Sequence, residues 1–207
     1  MEIELKYSLK NEKIAEEIRN DEDLLKYEVE GSEQELNLDA IYFDTEDEDL
    51  RRNFIAFRIR REGVRNVATL KWNGMQDGAL HTREELNINI GTGDFPKTPD
   101  ISVFSQSEIG ERILKIVGDK KLVPLMEINM LRKIWRLEDN NELVEICIDN
   151  GKVSTVKGEE KISEIEIEML TGNSENLLAL GEKLAEKYGL KPEKRSKFER
   201  GLALLER

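Results

Sequence analysis

Alternation of apolar and charged positions dominates this chain. In Met1-Glu2-Ile3-Glu4-Leu5-Lys6, strand geometry sends Ile3 and Leu5 to one face and Glu2, Glu4 and Lys6 to the other. The same period of two recurs in Ala56-Phe57-Arg58-Ile59-Arg60 and in Glu164-Ile165-Glu166-Ile167-Glu168. Similar runs predict strands near 36–44, 54–62, 64–72, 80–90, 122–137, 142–149 and 160–170, with a short extra strand at 152–156. Glu62-Gly63 reads as a tight turn, Asn73-Gly74 and Asp77-Gly78 as a loop, and Asp139-Asn140-Asn141 as a hairpin connection. Helical spacing follows four candidate caps. Asn11 precedes Ile14, Ile18 and Leu24-Leu25; Ser107 precedes Ile109, Ile113 and Val117; Ser174 precedes Leu177, Leu180 and Leu184; Ser196 precedes Phe198, Leu202 and Leu205. Many short-linked strands with few helices predict a largely antiparallel α+β fold, read as a single domain over 1–207.

Composition narrows the function classes. With 207 residues, 38% hydrophobic and 37% charged, the chain reads as a soluble protein with an unusually charged surface or interior. It has no apolar run near the roughly 20 residues that span a bilayer, so no membrane partner is expected. No basic-then-apolar leader opens the chain, and the single cysteine, Cys147, builds no internal disulfide; both favour a cytoplasmic location. A net charge of −12 argues against a nucleic-acid surface, though not against a small anion held where positive charge concentrates.

That concentration is visible in the strand faces. Glu2 and Glu4, with Glu164, Glu166 and Glu168, form acidic rows that repel unless cations separate them, and Glu145 and Asp149 share a parity on the preceding strand. Carboxylate oxygens suit hard divalent ions such as Mg²⁺ or Mn²⁺. Arg58 and Arg60 share one strand face and match phosphate oxygens bidentately. Lys6, Lys71, Arg83, Arg132 and Lys197 complete the basic set. Acidic and basic rows on strands together predict a cavity for metal ions and a polyanion. Tyr42-Phe43-Asp44-Thr45 reads as a turned strand end, His81 as structural, and Trp72 and Trp135 as packing residues.

The order Glu-x-Glu-x-Lys, Tyr42-Phe43-Asp44-Thr45, Arg58-x-Arg60, Lys71, Arg83, Arg132, Glu164-x-Glu166, Lys197 resembles the CYTH superfamily of triphosphate tunnel metalloenzymes, most closely its bacterial inorganic triphosphatases. The resemblance implies a closed antiparallel barrel of about eight strands whose charged face lines a tunnel. Flanking helices would cover its apolar outside, and a C-terminal helix carrying Lys197 would plug it. It further implies one or two Mg²⁺ or Mn²⁺ ions on Glu2, Glu4, Glu164, Glu166 and Glu168, with Glu164 and Glu166 favoured ahead of Glu168 and with Glu145 and Asp149 as additional acidic candidates. The substrate-binding set would be Lys6, Arg58, Arg60, Lys71, Arg83, Arg132 and Lys197, and Glu4, Lys6, Lys71 and Glu166 would serve catalysis. The histidine-rich helical domain often found in those triphosphatases is not matched within the 207 residues. The expected activity is hydrolysis of a small anionic substrate, inorganic triphosphate, to pyrophosphate and phosphate. Competing expectations are thiamine- or nucleoside-triphosphate hydrolysis, an adenylyl cyclase, and a non-catalytic polyphosphate-binding module.

Overall fold

A computed structural model describes residues 1–96 and 98–206. Eight strands follow the alternating stretches: β1 Glu2–Ser8, β2 Gln34–Thr45, β3 Ile55–Glu62, β4 Arg65–Asp77, β5 Leu80–Thr92, β6 Leu122–Asp139, β7 Glu142–Thr155 and β8 Gly158–Thr171. They pair antiparallel in the order β5-β4-β3-β2-β6-β7-β8-β1, and β1 pairs back onto β5, closing a barrel. A two-residue strand, β9 Lys191–Pro192, pairs with β1 outside the closed ring. Closure removes the exposed edges that an open sheet would present.

The period of two sorts side chains between tunnel and exterior. Outward-facing Leu5, Tyr7, Trp135, Ile146, Ile148, Ile165 and Ile167 form one core with α1 Glu12–Arg19, α2 Glu22–Leu25 and α5 Ser174–Tyr188. Gly181 lets α5 close down, because a Cβ there would meet Leu5 Cδ1 at 2.3 Å. Phe43, Phe57, Ile59, Ala68 and Leu70 form a second outer core with α3 Asp49–Arg52, a 3₁₀ turn Ile101–Phe104 and α4 Glu108–Val117. A third cluster lies inside the barrel, where Leu38, Ala40, Tyr42, Met126, Ile128, Val153 and Ile162 meet Phe198, Leu202 and Leu204 of α6, Lys197–Leu205. The inner surface is therefore half apolar, and α6 plugs that half. Among the described residues no helix is long and apolar enough to cross a membrane.

Several boundaries differ from the sequence expectations for local reasons. The helix expected from Asn11 to Leu25 breaks at Asn20, whose backbone and side chain both donate to the Glu16 carbonyl, and Asp21 caps a new turn. Asn73-Gly74 is not a loop but lies in an irregular register between Trp72 and Met75, with Asn73 at φ 51°, and β4 continues to Asp77. The turn after β3 is Gly63-Val64, since Glu62 pairs with Arg65. The separate strand expected at 152–156 belongs to β7. Asn173, not Ser174, caps α5, accepting from Asn176 N at 2.9 Å. Asn140 and Asn141 both take positive φ, as a type I′ hairpin turn requires.

Candidate active site

Cross-strand register builds the site in rows. Glu4 on β1 stands opposite Glu168 on β8, and Glu168 stands opposite Glu145 on β7. One step deeper, Lys6 faces Glu166, which faces Cys147. A further step brings Glu164 opposite Asp149, and Asp149 opposite Arg132 of β6. Opposing like charges destabilise a sheet unless cations intervene.

In the deeper rows they do. Arg132 donates to both Asp149 oxygens at 2.7 and 2.6 Å and to Glu166 at 2.5 Å. Lys6 donates to Glu166 at 2.5 Å and lies 3.1 Å from Glu4. Lys197 reaches in from α6 to Asp149 at 2.7 Å, Glu166 at 2.8 Å and Glu164. Burial alone would raise the Glu166 and Asp149 pKa values, but these cations hold both below the usual carboxylate range. Glu164 moves the other way: burial, with Glu166 and Asp149 beside it, outweighs Lys197. At the other side Glu2 binds Lys71 at 3.2 Å and Arg83, Arg83 also binds Glu4, and Lys71 also pairs with Glu85. Arg60 is held at 2.7 Å by Glu62.

Two groups stand apart. Arg58 is 8% exposed, makes no ion pair among the described residues, donates only to Thr69 Oγ1 at 3.3 Å, and leaves its Nε without a partner. Glu168 likewise makes no ion pair among the described residues; burial first, then Glu2, Glu4, Glu145 and Glu166, push its pKa to about 7. A buried guanidinium without an anion and a carboxylate crowded by others without a cation of its own are both unfavourable in isolation. Their coexistence fits a ligand carrying both charges, a divalent cation on a polyanion. An all-oxygen donor set suits a hard ion such as Mg²⁺ or Mn²⁺. A second carboxylate group, Asp149, Glu164 and Glu166, has oxygens all within 4.8 Å of one another, close enough to hold a metal ion.

Three connected spaces surround these groups. A polar mouth of about 290 Å³ is lined by Arg60, Glu62, Arg65, Arg136, Glu145 and Glu168. A constriction of about 40 Å³ is walled by Glu2, Lys6, Arg58, Arg132, Glu166 and Lys197. Beside α6 a third space of about 400 Å³ shares Tyr42, Lys71 and Arg83 with the constriction but adds Phe54, Trp72 and Met75. Of the residues expected from the strand faces, all but Asp149 and Glu164 line the constriction or the mouth; those two are buried against Lys197, and Glu145 turns toward Arg136 at 2.9 Å at the mouth. His81 is tied by Nε2 to the Glu193 carbonyl at 2.9 Å, and Asp44 accepts from Thr45, Leu50 and Arg51 backbone N–H groups. Sequence reasoning missed Glu85, Glu62 and Arg200. Glu85 lies two residues beyond Arg83 on one strand face, and Arg200 lies three beyond Lys197 on one helix face, so spacing carried both signals.

The family model described as the CYTH domain matches residues 1–202. The chain belongs to the CYTH family. Among curated proteins, the inorganic triphosphatase of Haemophilus influenzae is 29% identical over 171 residues, covering 83% of this chain and 47% of that protein. The chain therefore spans about half that relative's length. Among solved structures, a candidate adenylyl cyclase from Hippeastrum, described as having a dominant triphosphatase activity, superposes with a TM-score of 0.70 at 21% identity, over 98% of this chain and 96% of that one. A Pyrococcus horikoshii protein superposes with a TM-score of 0.57 at 20% identity over the full length of both. These likenesses establish the CYTH tunnel fold.

Proposed function

We propose that this CYTH protein hydrolyses inorganic triphosphate to pyrophosphate and phosphate with a divalent metal ion. The observation that carries the reading is the Arg58 guanidinium, unpaired among the described residues, facing a tunnel whose opposite wall holds the Glu168 carboxylate, likewise unpaired among them. Arg58, Arg60 and Arg132 grip the phosphate chain, with Lys71 and Arg83 beside it and Lys6 and Lys197 deeper in the barrel. Glu2, Glu4 and Glu168 hold Mg²⁺ or Mn²⁺, with Glu166 adjoining. The ion supplies charge neutralisation on phosphate oxygens and acidifies bound water. Water adds its oxygen to the terminal phosphorus, the bridging P–O bond breaks, pyrophosphate leaves, and the water proton passes to solvent. The barrel's part is orientation and fixed positive charge where the leaving group develops negative charge. Glu62 and Glu85 hold Arg60 and Lys71 until phosphate oxygens replace them.

The apolar third space favours one further reading. Phe54 is 85% exposed and takes a left-handed φ of 59°, a conformation an aromatic residue rarely keeps without a reason. With Trp72 and Met75 it offers a surface for an organic group attached to the triphosphate. Phosphate release from tripolyphosphate, thiamine triphosphate and ATP, each with and without Phe54→Ala, separates the two. If the substrate is inorganic, kcat/KM is highest for tripolyphosphate and Phe54→Ala leaves it unchanged. A higher kcat/KM for an organic triphosphate that falls with Phe54→Ala overturns that ranking.

A further inference from the structure

The surroundings of Arg58 form a row set by strand register. Arg58 on β3 stands opposite Tyr42 on β2 and Thr69 on β4, and Thr69 stands opposite Asn87 on β5. Arg58 Nη2 donates to Thr69 Oγ1 at 3.3 Å, Thr69 Oγ1 donates to Asn87 Oδ1 at 2.7 Å, and Asn87 Nδ2 donates to Glu85 Oε1 at 2.5 Å. On its other side the guanidinium carbon lies 6.0 Å from the centre of the Tyr42 ring. The far end of the chain of bonds fixes its direction. Glu85 is ion-paired with Lys71, and an ionised carboxylate only accepts. Asn87 therefore turns its amide NH₂ to Glu85 and its oxygen to Thr69. Thr69 gives its single hydroxyl proton to that oxygen and presents its lone pairs to Arg58. We propose that Thr69 and Asn87 are positioning residues for Arg58, a neutral hydroxyl–amide relay that aims the guanidinium into the tunnel without neutralising its charge. The inference rests on the reading of Arg58 as a phosphate-binding cation and names what holds it in place.

Neutral partners set this cation apart. Arg60, Lys71, Arg83 and Arg132 each meet a carboxylate of the barrel, so part of their charge is answered before any substrate arrives. Arg58 meets none among the described residues, yet an arginine side chain left free keeps several rotamers that binding must then freeze. A hydroxyl on one side and an aromatic face on the other restrain it and leave its full charge for an anion. An Asp or Glu in place of Thr69 would hold it more firmly but would compete with phosphate for the same fork. Thr69 is 0% exposed, so it cannot touch a substrate itself, and its β-branched side chain is stiff at χ1, which keeps the hydroxyl in one place. Asn87 lines the polar mouth with Glu85. Because Glu85 also holds Lys71, the relay joins two members of the phosphate-binding set through one carboxylate.

The test reads Arg58 directly and then through catalysis. In the ¹⁵N-labelled full chain, the Arg58 Nε–H signal is assigned by its loss in Arg58→Ala. Its order parameter should fall in Thr69→Val and stay at the wild-type value in Thr69→Ser, which keeps the hydroxyl. With Mg²⁺ and tripolyphosphate, Thr69→Val should lower kcat/KM about 10-fold, and Thr69→Ser should retain most of the wild-type value. In an Arg58→Ala background Thr69→Val should cost nothing further. An unchanged Arg58 order parameter in folded Thr69→Val overturns the inference, as does an unchanged kcat/KM. An equal fall in kcat/KM in both backgrounds also overturns it, because that is the mark of general damage to the barrel. If Thr69→Val does not fold, Asn87→Ala, at the exposed end of the relay, replaces it with the same expected results. A wild type that leaves tripolyphosphate intact overturns the reading above, and the order parameter still decides whether the relay holds Arg58.

Discussion

Arg200 ties the plug helix to the barrel, and its removal gives a sharp stability prediction. The side chain is buried and donates to Glu164 and Glu160 at 2.8 Å each and to the Lys161 carbonyl. Hydrogen bonds to charged groups contribute about 1.5–3 kcal/mol each when desolvated. The Glu164 side chain is 1% exposed, so its bond counts fully; that of Glu160 is 22% exposed, so its share is discounted to below about 1 kcal/mol. Arg200→Met also leaves Glu164 with Lys197 as its only ion-pair partner among the described residues. The expected loss is about 3–4 kcal/mol, within the range for breaking a buried pair. For a chain of this size that lowers Tm by about 10 °C, measured by thermal melting with circular dichroism. Adding Glu164→Gln should restore part of the loss, because the stranded carboxylate is then neutral. A single-variant loss under about 1 kcal/mol, or strictly additive effects in the double variant, would refute the reasoning.

Other outcomes follow from the same geometry. Arg58→Ala should lower kcat/KM for tripolyphosphate about 10²–10³-fold if the unpaired guanidinium meets charge that develops in the transition state, and steady-state kinetics reads this directly. Gly151→Ala should destabilise by about 3 kcal/mol in urea unfolding, since its Cβ would meet the Asn129 carbonyl oxygen at 2.2 Å and Met130 Cα at 2.5 Å. Burial, then the Lys6 charge, lowers the pKa of His81, the one histidine, so the unfolded chain takes up its proton first. The stability this contributes is full above about pH 6.5 and lost as pH falls below it; His81→Gln should therefore lose less stability than wild type between pH 7.5 and 5.5. Glu168 has the opposite sign, because its folded pKa of about 7 lies above the ordinary 4.5. In EDTA at pH 8 its charge costs stability, so Glu168→Gln should melt higher than wild type there and gain less from added Mg²⁺.

Much of this architecture was legible because one period carries two kinds of information. Alternation in Glu2–Lys6, Arg58–Arg60 and Glu164–Glu168 predicted both the strands and the face on which charge collects. What alternation does not encode is pairing. That Glu168 is flanked by Glu4 and Glu145, whereas Glu166 faces Lys6, depends on register between strands far apart in sequence. On sequence, Glu164 and Glu166 are favoured over Glu168 as metal ligands with the register open, and cross-strand register divides the three into a caged pair, Glu164 and Glu166, and an open one, Glu168. Glu62 and Arg200 were hidden for a related reason: each looks like a surface charge until Arg60 or the β8 carboxylates are placed beside it. The helix break at Asn20 was missed because the apolar spacing runs on while the hydrogen bonds do not.

The central claim is that the Arg58 guanidinium and the Glu168 carboxylate, both unpaired among the described residues, exist to hold a metal–triphosphate complex for hydrolysis. The most direct measurement is phosphate release from tripolyphosphate by EDTA-stripped protein, before and after Mg²⁺ is restored, alongside Glu4→Gln. The account predicts no release in EDTA, turnover on adding Mg²⁺, and loss of that turnover in Glu4→Gln. Tripolyphosphate left intact by the Mg²⁺-loaded wild type, or cleaved equally well in EDTA, would contradict it.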